Sequence, residues 1–324
     1  MITEEAMEGA MEGVSDSPPQ NYRAGTAQHA RPTRGNHGSV FARDWYCRHV
    51  LTSTQHCQPL ITLVASKSVR PRQFEYNSVS PEYMAVGTVK GEVIVLSHNT
   101  STVVGHVRPG SSGAGSNAGG QHYRSSVLGL SWLHGKGGSS SKFISGMDNG
   151  DIHLYDLEDM RGWNYASGAG GAASGPPSCK DYPAFAQLTS VHVNADDSQF
   201  IASGYSPHVS LYDMCTGKVV NNFANLHSKH INVVKFANHD PNLFATSSFD
   251  CSVKLWDVRT QLDKTGPVFS RSSDAGVVMC CFSPDDRFLL SSAVDNEVRQ
   301  INTVDGSMHT LFDIPKKMSK HNYT

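Results

Sequence analysis

His227, Thr246, Asp250 and Trp256 bring an imidazole, a hydroxyl, a carboxylate and an indole into one short stretch of the chain. The first three are the parts of a proton relay, but a relay of that kind needs a nucleophile that the base activates. The fourth, an indole, can only donate. The residues therefore read as a satisfied polar network that pins a structural element. Other chemistries fare no better. Cys47, His49, His56 and Cys57 are all zinc-binding types, yet adjacent ligands such as His56 and Cys57 rarely reach one tetrahedral ion. Cys280 and Cys281 lie in an alternating apolar strand, one facing in and one out, without the electropositive setting a thiolate needs. No Gly-x-Ser-x-Gly or His-Glu-x-x-His occurs, and no glycine-rich stretch ends in the Gly-Lys-Ser/Thr of a phosphate loop. The expectation is a chain that is not an enzyme and that carries no metal and no cofactor.

The elements that must position these residues repeat. The best copy runs from His227 to Arg259: an alternating strand Ile231 to Phe236, a turn at His239, Asp240 and Pro241, and a strand Leu243 to Ser247. A turn at Phe249 to Ser252 and a strand Val253 to Asp257 complete it. Laid on it, other copies end their third strands at Leu96-Ser97, Tyr155-Asp156, Tyr212-Asp213 and Ile301-Asn302. The steps from Tyr212 to Trp256 and from Trp256 to Ile301 are 44 and 45 residues, the length of one four-stranded blade. One such sheet cannot cover its own apolar faces, so blades stack and bury them against their neighbours. The pattern resembles the WD repeat, which implies an all-β WD-repeat β-propeller with five recognisable blades. It also implies that His227, Thr246, Asp250 and Trp256 form the hydrogen-bonded chain of that repeat. Rings of this kind commonly have seven blades, so the expectation is a truncated seven-blade ring or one completed from elsewhere.

Charge is segregated along the 324 residues, whose net value is only -2. Glu4, Glu5, Glu8, Glu12 and Asp16 make the first twenty residues acidic. From Asn21 to Arg72, the cations Arg23, Arg31, Arg34, Arg43, Arg48, Lys67, Arg70 and Arg72 face the single anion Asp44. Such a field attracts phosphate or an acidic protein surface, or it belongs to a solvated arm that binds nothing specific. Both readings stay open here. Residues 1–40 read as a disordered acidic-then-basic arm, 41–68 as a docking helix and strand with the helix near Phe41 to Thr54, 69–312 as the blades, and 313–324 as a lysine-rich tail. In that tail Lys316, Lys317 and Lys320 suit phosphates and Tyr323 suits a base. Pro109 to Gly120, Gly135 to Ser141 and Ser167 to Ser178 are built of Gly, Ser and Ala and read as flexible loop insertions. Seven Cys without a CxxC pair point to a reducing compartment. The expectation is no secretory leader and no membrane span, and the basic arm favours the nucleus over the cytosol.

The run Phe244 to Arg259, FATSSFDCSVKLWDVR, is the most specific feature. It is similar to the adaptor-binding box of WD-repeat substrate receptors of cullin-4 RING ubiquitin ligases. Carried over residue by residue, the resemblance makes Trp256, Asp257 and Arg259 the adaptor-binding residues, with the Asp and the Arg on the rim. The positions matching Arg259 in the other copies are Asn99, Glu158, Cys215 and Val304, so the blade itself does not require the Arg. From Phe41 to about Leu311 the chain further resembles the family of damage-specific DNA-binding subunits. The shared features are a basic segment, an Arg-rich entry at Val69 to Arg72, a Val-Gly-Thr turn at Val86 to Thr88, and CFSPDDRFLL from Cys281 to Leu290. The lesion-probing hairpin of that family has no counterpart here. The resemblance implies a non-catalytic substrate receptor that docks on the ligase's adaptor propeller and presents a client. The alternatives are a DNA-binding repair or chromatin factor using Arg31, Arg34, Arg43, Arg48, Arg70, Arg72, Lys316, Lys317 and Lys320, and a general interaction scaffold.

Overall fold

Strands of three to six residues, each with alternate side chains turned to opposite faces, pair into sheets too thin to hide their own apolar surface. The computed structural model describes residues 70–107, 125–161 and 180–312. Among these residues the strands form five antiparallel sheets of four, each joined in chain order. Blade one is β1 (Pro71–Tyr76), β2 (Tyr83–Thr88), β3 (Val93–Ser97) and β4 (Thr102–Val107). Blade two is β5 (Val127–Trp132), β6 (Lys142–Met147), β7 (Ile152–Asp156) and β8 (Lys180–Tyr182). Blade three is β9 (Leu188–Val193), β10 (Gln199–Gly204), β11 (Val209–Asp213) and β12 (Val219–Phe223). Blade four is β13 (Ile231–Phe236), β14 (Leu243–Ser248), β15 (Ser252–Asp257) and β16 (Phe269–Ser272). Blade five is β17 (Val277–Phe282), β18 (Phe288–Ala293), β19 (Val298–Asn302) and β20 (Met308–Phe312). This is the architecture of a WD-repeat propeller. The only helical pieces among the described residues are single turns at Lys136–Gly138, Leu157–Met160 and Leu262–Thr265.

The core lies between blades. Ala85, Val93, Val95 and Val107 of blade one meet Val127, Leu130, Trp132, Phe143 and Tyr155 of blade two. Ile201, Val209, Leu211 and Phe223 of blade three meet Ile231, Val234, Phe236, Phe244 and Trp256 of blade four. Each large side chain so buried contributes roughly 1.5–3 kcal/mol. The first strands of successive blades pack on one another, β1 on β5, β5 on β9, β9 on β13 and β13 on β17. Polar links run along this line: Val193 N–H donates to Ser131 Oγ at 3.1 Å and Phe236 N–H to His192 Nδ1 at 3.1 Å. His192 is therefore neutral with its proton on Nε2. Burial, with Lys235 nearby, holds its pKa well below the usual histidine range.

Two local expectations are corrected. Gly135 to Ser141 is not a floppy insertion but an ordered turn joining β5 to β6. Its partner comes from the next blade. Asp197, at φ 61°, accepts from His134 N–H at 2.7 Å, Lys136 N–H at 2.8 Å and Ser139 Oγ–H at 2.7 Å. Val86 to Thr88 is not a turn but the end of β2, and Gly87 stands there because a methyl group would lie 2.4 Å from Val127 Cγ1. The stretches Pro109 to Gly120 and Ser167 to Ser178, the arm 1–40, the segment 41–68 and the tail 313–324 lie outside the described residues.

Replacing Asp197 with Ala removes the acceptors of three donors in the half-buried 134–139 turn. It should cost about 1–3 kcal/mol and speed tryptic cleavage after the exposed Lys136. A cleavage rate equal to the parent's would contradict this clamp.

Candidate functional site

The antiparallel order of each blade divides its connections between two ends. Turns joining second to third strands lie at one end, together with the links between blades. Turns joining first to second and third to fourth strands lie at the other end. His227 (in the β12–β13 link) and Asp250 (in the β14–β15 turn) are at the first end, with Thr246 on β14 and Trp256 on β15 leading down from them.

These four residues form one chain. Trp256 Nε1–H donates to Thr246 Oγ1 at 2.8 Å, Thr246 Oγ1 lies 2.6 Å from His227 Nε2, and His227 Nδ1 lies 2.9 Å from Asp250 Oδ2. The indole donates and Thr246 passes its own proton to Nε2, so Nδ1 carries the proton that Asp250 accepts. Asp250 also takes Ser228 N–H at 3.1 Å, Ser252 N–H at 3.0 Å and Ser252 Oγ–H at 2.6 Å. Burial pushes the His227 pKa down to about 4, although Asp250 favours the charged form. For Asp250, burial raises the carboxyl, but the Ser252 hydroxyl, the adjacent His227 ring that donates to it and the Ser228 N–H outweigh it, and it is held below its ordinary value. No substrate-sized space opens on the chain, because His227 is 4% and Trp256 3% exposed. The arrangement fastens the blade link to the β14–β15 turn.

Only blade four is fastened in this way among the described residues. Tyr155, Tyr212 and Ile301 take the place of Trp256 in register, and Ala202 takes that of Thr246 in blade three. There Tyr212 instead stacks flat on Phe200, with ring centroids 4.6 Å apart.

The other end of β15 carries the rim. Arg259 follows the strand on the turn toward β16, and its Nε donates to both Asp257 oxygens at 2.9 and 3.1 Å while Nη2 donates to Oδ2 at 2.5 Å. The Arg259 backbone N–H adds a fourth bond to Asp257 Oδ1 at 3.0 Å. Arg259 is 61% and Asp257 15% exposed at the side chain. Hydrogen bonding from Arg259 holds the Asp257 carboxyl below its ordinary value and raises the guanidinium in return. One planar edge of the guanidinium is thus fixed and the opposite edge faces solvent, where it can grip a carboxylate or two carbonyls.

The structure separates the sequence-derived adaptor residues by role. Asp257 and Arg259 are on the rim, whereas Trp256 is buried beneath it, where its indole supports the strand. Arg70 and Arg72 are exposed at the start of β1, at the end opposite Arg259. Arg31, Arg34, Arg43, Arg48, Lys316, Lys317 and Lys320, the zinc-type cluster Cys47, His49, His56 and Cys57, and the docking helix near Phe41 to Thr54 lie outside the described residues. Burial pushes the Cys280 thiol up to about 12 and raises that of Cys281, so neither is a ready nucleophile.

Sequence reasoning missed the inter-blade carboxylates. Asp197 and Asp286 are each the second residue of an Asp-Asp pair in a first-to-second-strand turn, at φ 61° and 56°. Their shared signal was legible: two Asp-Asp pairs standing two blade periods apart.

Comparison with known proteins agrees with this geometry. The family model described as WD domain, G-beta repeat matches residues 217–257 and 266–302, the repeats underlying blades four and five. Protein DWD HYPERSENSITIVE TO UV-B 1 of Arabidopsis thaliana is 46% identical over 254 residues, which cover 78% of this chain and 30% of that protein. DNA damage-binding protein 2 of Mus musculus is 25% identical over 230 residues, covering 71% of this chain and 46% of its own length. A ribosome biogenesis protein WDR12 homolog of Aedes aegypti is 28% identical over 120 residues, or 36% of this chain and 27% of that protein. The chain thus spans less than half the length of each relative.

The pH dependence of the His227 chain follows from its sign. The folded pKa, about 4, lies below the unfolded value near 6.5, so the unfolded state binds the proton first. Stability from this group is complete above about pH 6.5 and is lost as pH falls toward 4. Between pH 7 and pH 5 the parent should lose about 2 kcal/mol through His227. A His227→Asn variant, less stable at pH 7, should show a smaller fall over the same interval. Equal falls in melting temperature would show that His227 is not held neutral.

Proposed function

We propose, from the premise that this chain belongs to the WD-repeat family, that it is the substrate receptor of a cullin-4 RING ubiquitin ligase. On this reading the rim end of the blades docks on the ligase's adaptor propeller, the opposite end presents a client protein, and the chain itself transfers nothing. The observation that carries the reading is Arg259, an exposed guanidinium held in fixed orientation by Asp257 at a position where the other copies have Asn99, Glu158, Cys215 and Val304. A fork ordered before docking loses less side-chain entropy when it binds. A charge with no role in the blade yet fixed in place is what an interface anchor needs. The similarity to DWD HYPERSENSITIVE TO UV-B 1 over most of the chain supports the same assignment.

Arg259→Ala should leave folding within about 0.5 kcal/mol of the parent, because the side chain is exposed and its hydrogen bonds are all to Asp257, two residues away. Affinity for the cullin-4 adaptor should fall about thirtyfold, the loss expected on truncating an Arg anchor. A calorimetric titration together with a thermal melt reads both. Full affinity in the well-folded variant, or no binding by the parent, counts against the receptor role.

A second reading, a nuclear DNA-binding repair factor, is favoured by the exposed Arg70 and Arg72 and by the similarity to DNA damage-binding protein 2. Exchanging Arg31, Arg34, Arg43 and Arg48 for Gln should weaken duplex binding and flatten its salt dependence by about one unit of slope per lost phosphate contact. An unchanged slope would remove the basic segment from DNA binding.

A further inference from the structure

The rim at Arg259 is not the work of blade four alone. Asp286, in the β17–β18 turn of blade five, reaches back across the blade junction. Its Oδ1 accepts from Asn238 N–H at 2.8 Å and Asn238 Nδ2–H at 2.7 Å, and its Oδ2 accepts from His239 N–H at 2.7 Å. The same blade-five turn contributes two carbonyls: Ser283 O takes Asn238 Nδ2–H at 3.0 Å, and Pro284 O lies 2.9 Å from His239 Nε2. The segment so gripped, residues 238–242, joins β13 to β14. It continues into Asp240, whose Oδ1 accepts from Asn242 N–H at 2.9 Å and Asn242 Nδ2–H at 3.2 Å. Asn242 O then accepts Val258 N–H at 2.9 Å, at the residue directly before Arg259. Asp240 also contributes to the electrostatic stabilisation of the Arg259 guanidinium. A continuous path of hydrogen bonds therefore runs from a blade-five carboxylate to the backbone that carries Arg259.

We propose that Asp286 is a positioning residue for adaptor docking and that the docking rim of blade four is braced from blade five, with the exposed His239 and the half-buried Asp240, at the same end of blade four as Arg259, as part of the contact surface. This inference rests on the receptor reading above. Asp286 touches no partner itself. It fixes the 238–242 segment, and that segment fixes the turn from which Arg259 projects. The fold supplies its own control, because Asp197 makes the same kind of clamp between blades two and three, on the same end but away from Arg259.

The test compares Asp286→Ala, Asp286→Asn and Asp197→Ala in the full chain, with adaptor affinity, melting temperature and amide hydrogen exchange as readouts. The proposal expects Asp286→Ala to lose about tenfold in affinity and Asp197→Ala less than twofold. It expects Asp286→Asn, which keeps one acceptor and tolerates the positive φ, to recover part of the loss. Because Asp286 acts through Arg259, adding Asp286→Ala to Arg259→Ala should cost little more than Arg259→Ala alone. The Val258 amide should exchange faster in Asp286→Ala and not in Asp197→Ala. Equal affinity losses for the two Ala variants, or fully additive losses with Arg259→Ala, would overturn the proposal. Should the parent bind no adaptor, the receptor reading fails, and Val258 exchange alone then decides whether the Asp286 path exists, with unchanged exchange overturning it.

Discussion

The closeness with which successive blades meet at the inner strands constrains everything built on them. A methyl group on Gly87 would lie 2.4 Å from Val127 Cγ1, and one on Gly146 would lie 2.8 Å from Leu188 Cδ2. These are separations that real carbon atoms do not adopt. Large side chains fill the space between the sheets. Trp132, Phe143 and Tyr155 pack ring against ring in one junction, with centroids 4.8 and 5.4 Å apart, and Phe236, Phe244 and Trp256 fill another, with centroids 6.0 and 6.5 Å apart. Burial on this scale stabilises the blades, but apolar contact is non-directional. Register and spacing between blades come from the polar groups.

Those groups work differently at the two ends. At the end that holds the blade links, His227 and Asp250 fasten a link to a turn within one blade, with Trp256 and Thr246 as the buried root. At the rim end, Asp197 and Asp286 fasten a turn of one blade to the next. Both carboxylates sit at positive φ, a conformation Asp tolerates better than most residues because its short side chain bonds locally. Placing Arg259 at this second end puts its charge on the surface that Asp197 and Asp286 brace. It leaves Tyr205, 59% exposed and ring to ring with His230 at 5.3 Å, on the opposite one.

Much of this was legible in the sequence because the signals were local. The third strands end where the apolar run meets Asp, Ser or Asn, and the four members of the His227 chain, two in strands and two in the adjoining link and turn, fall within one repeat. Two misreadings share one cause, a partner distant in sequence. Gly135 to Ser141 has the composition of a floppy loop, and nothing within it reveals that Asp197 will supply its acceptors. Gly87 looks like a turn glycine until Val127 of the next blade explains it as a point of close approach. Trp256 belongs to the adaptor-binding pattern by position, and its ring, in register with Phe244, is buried within the blade while Asp257 and Arg259 stand on the rim.

The central claim is that the third-to-fourth-strand rim of blade four faces the ligase adaptor. Site-specific photo-crosslinking tests it most directly, with the reactive group placed at the exposed Thr260 beside Arg259 and, in a second protein, at Tyr205 on the opposite end. The account predicts a crosslink to the cullin-4 adaptor propeller from position 260 and none from position 205. A crosslink from position 205 with none from position 260 would contradict it.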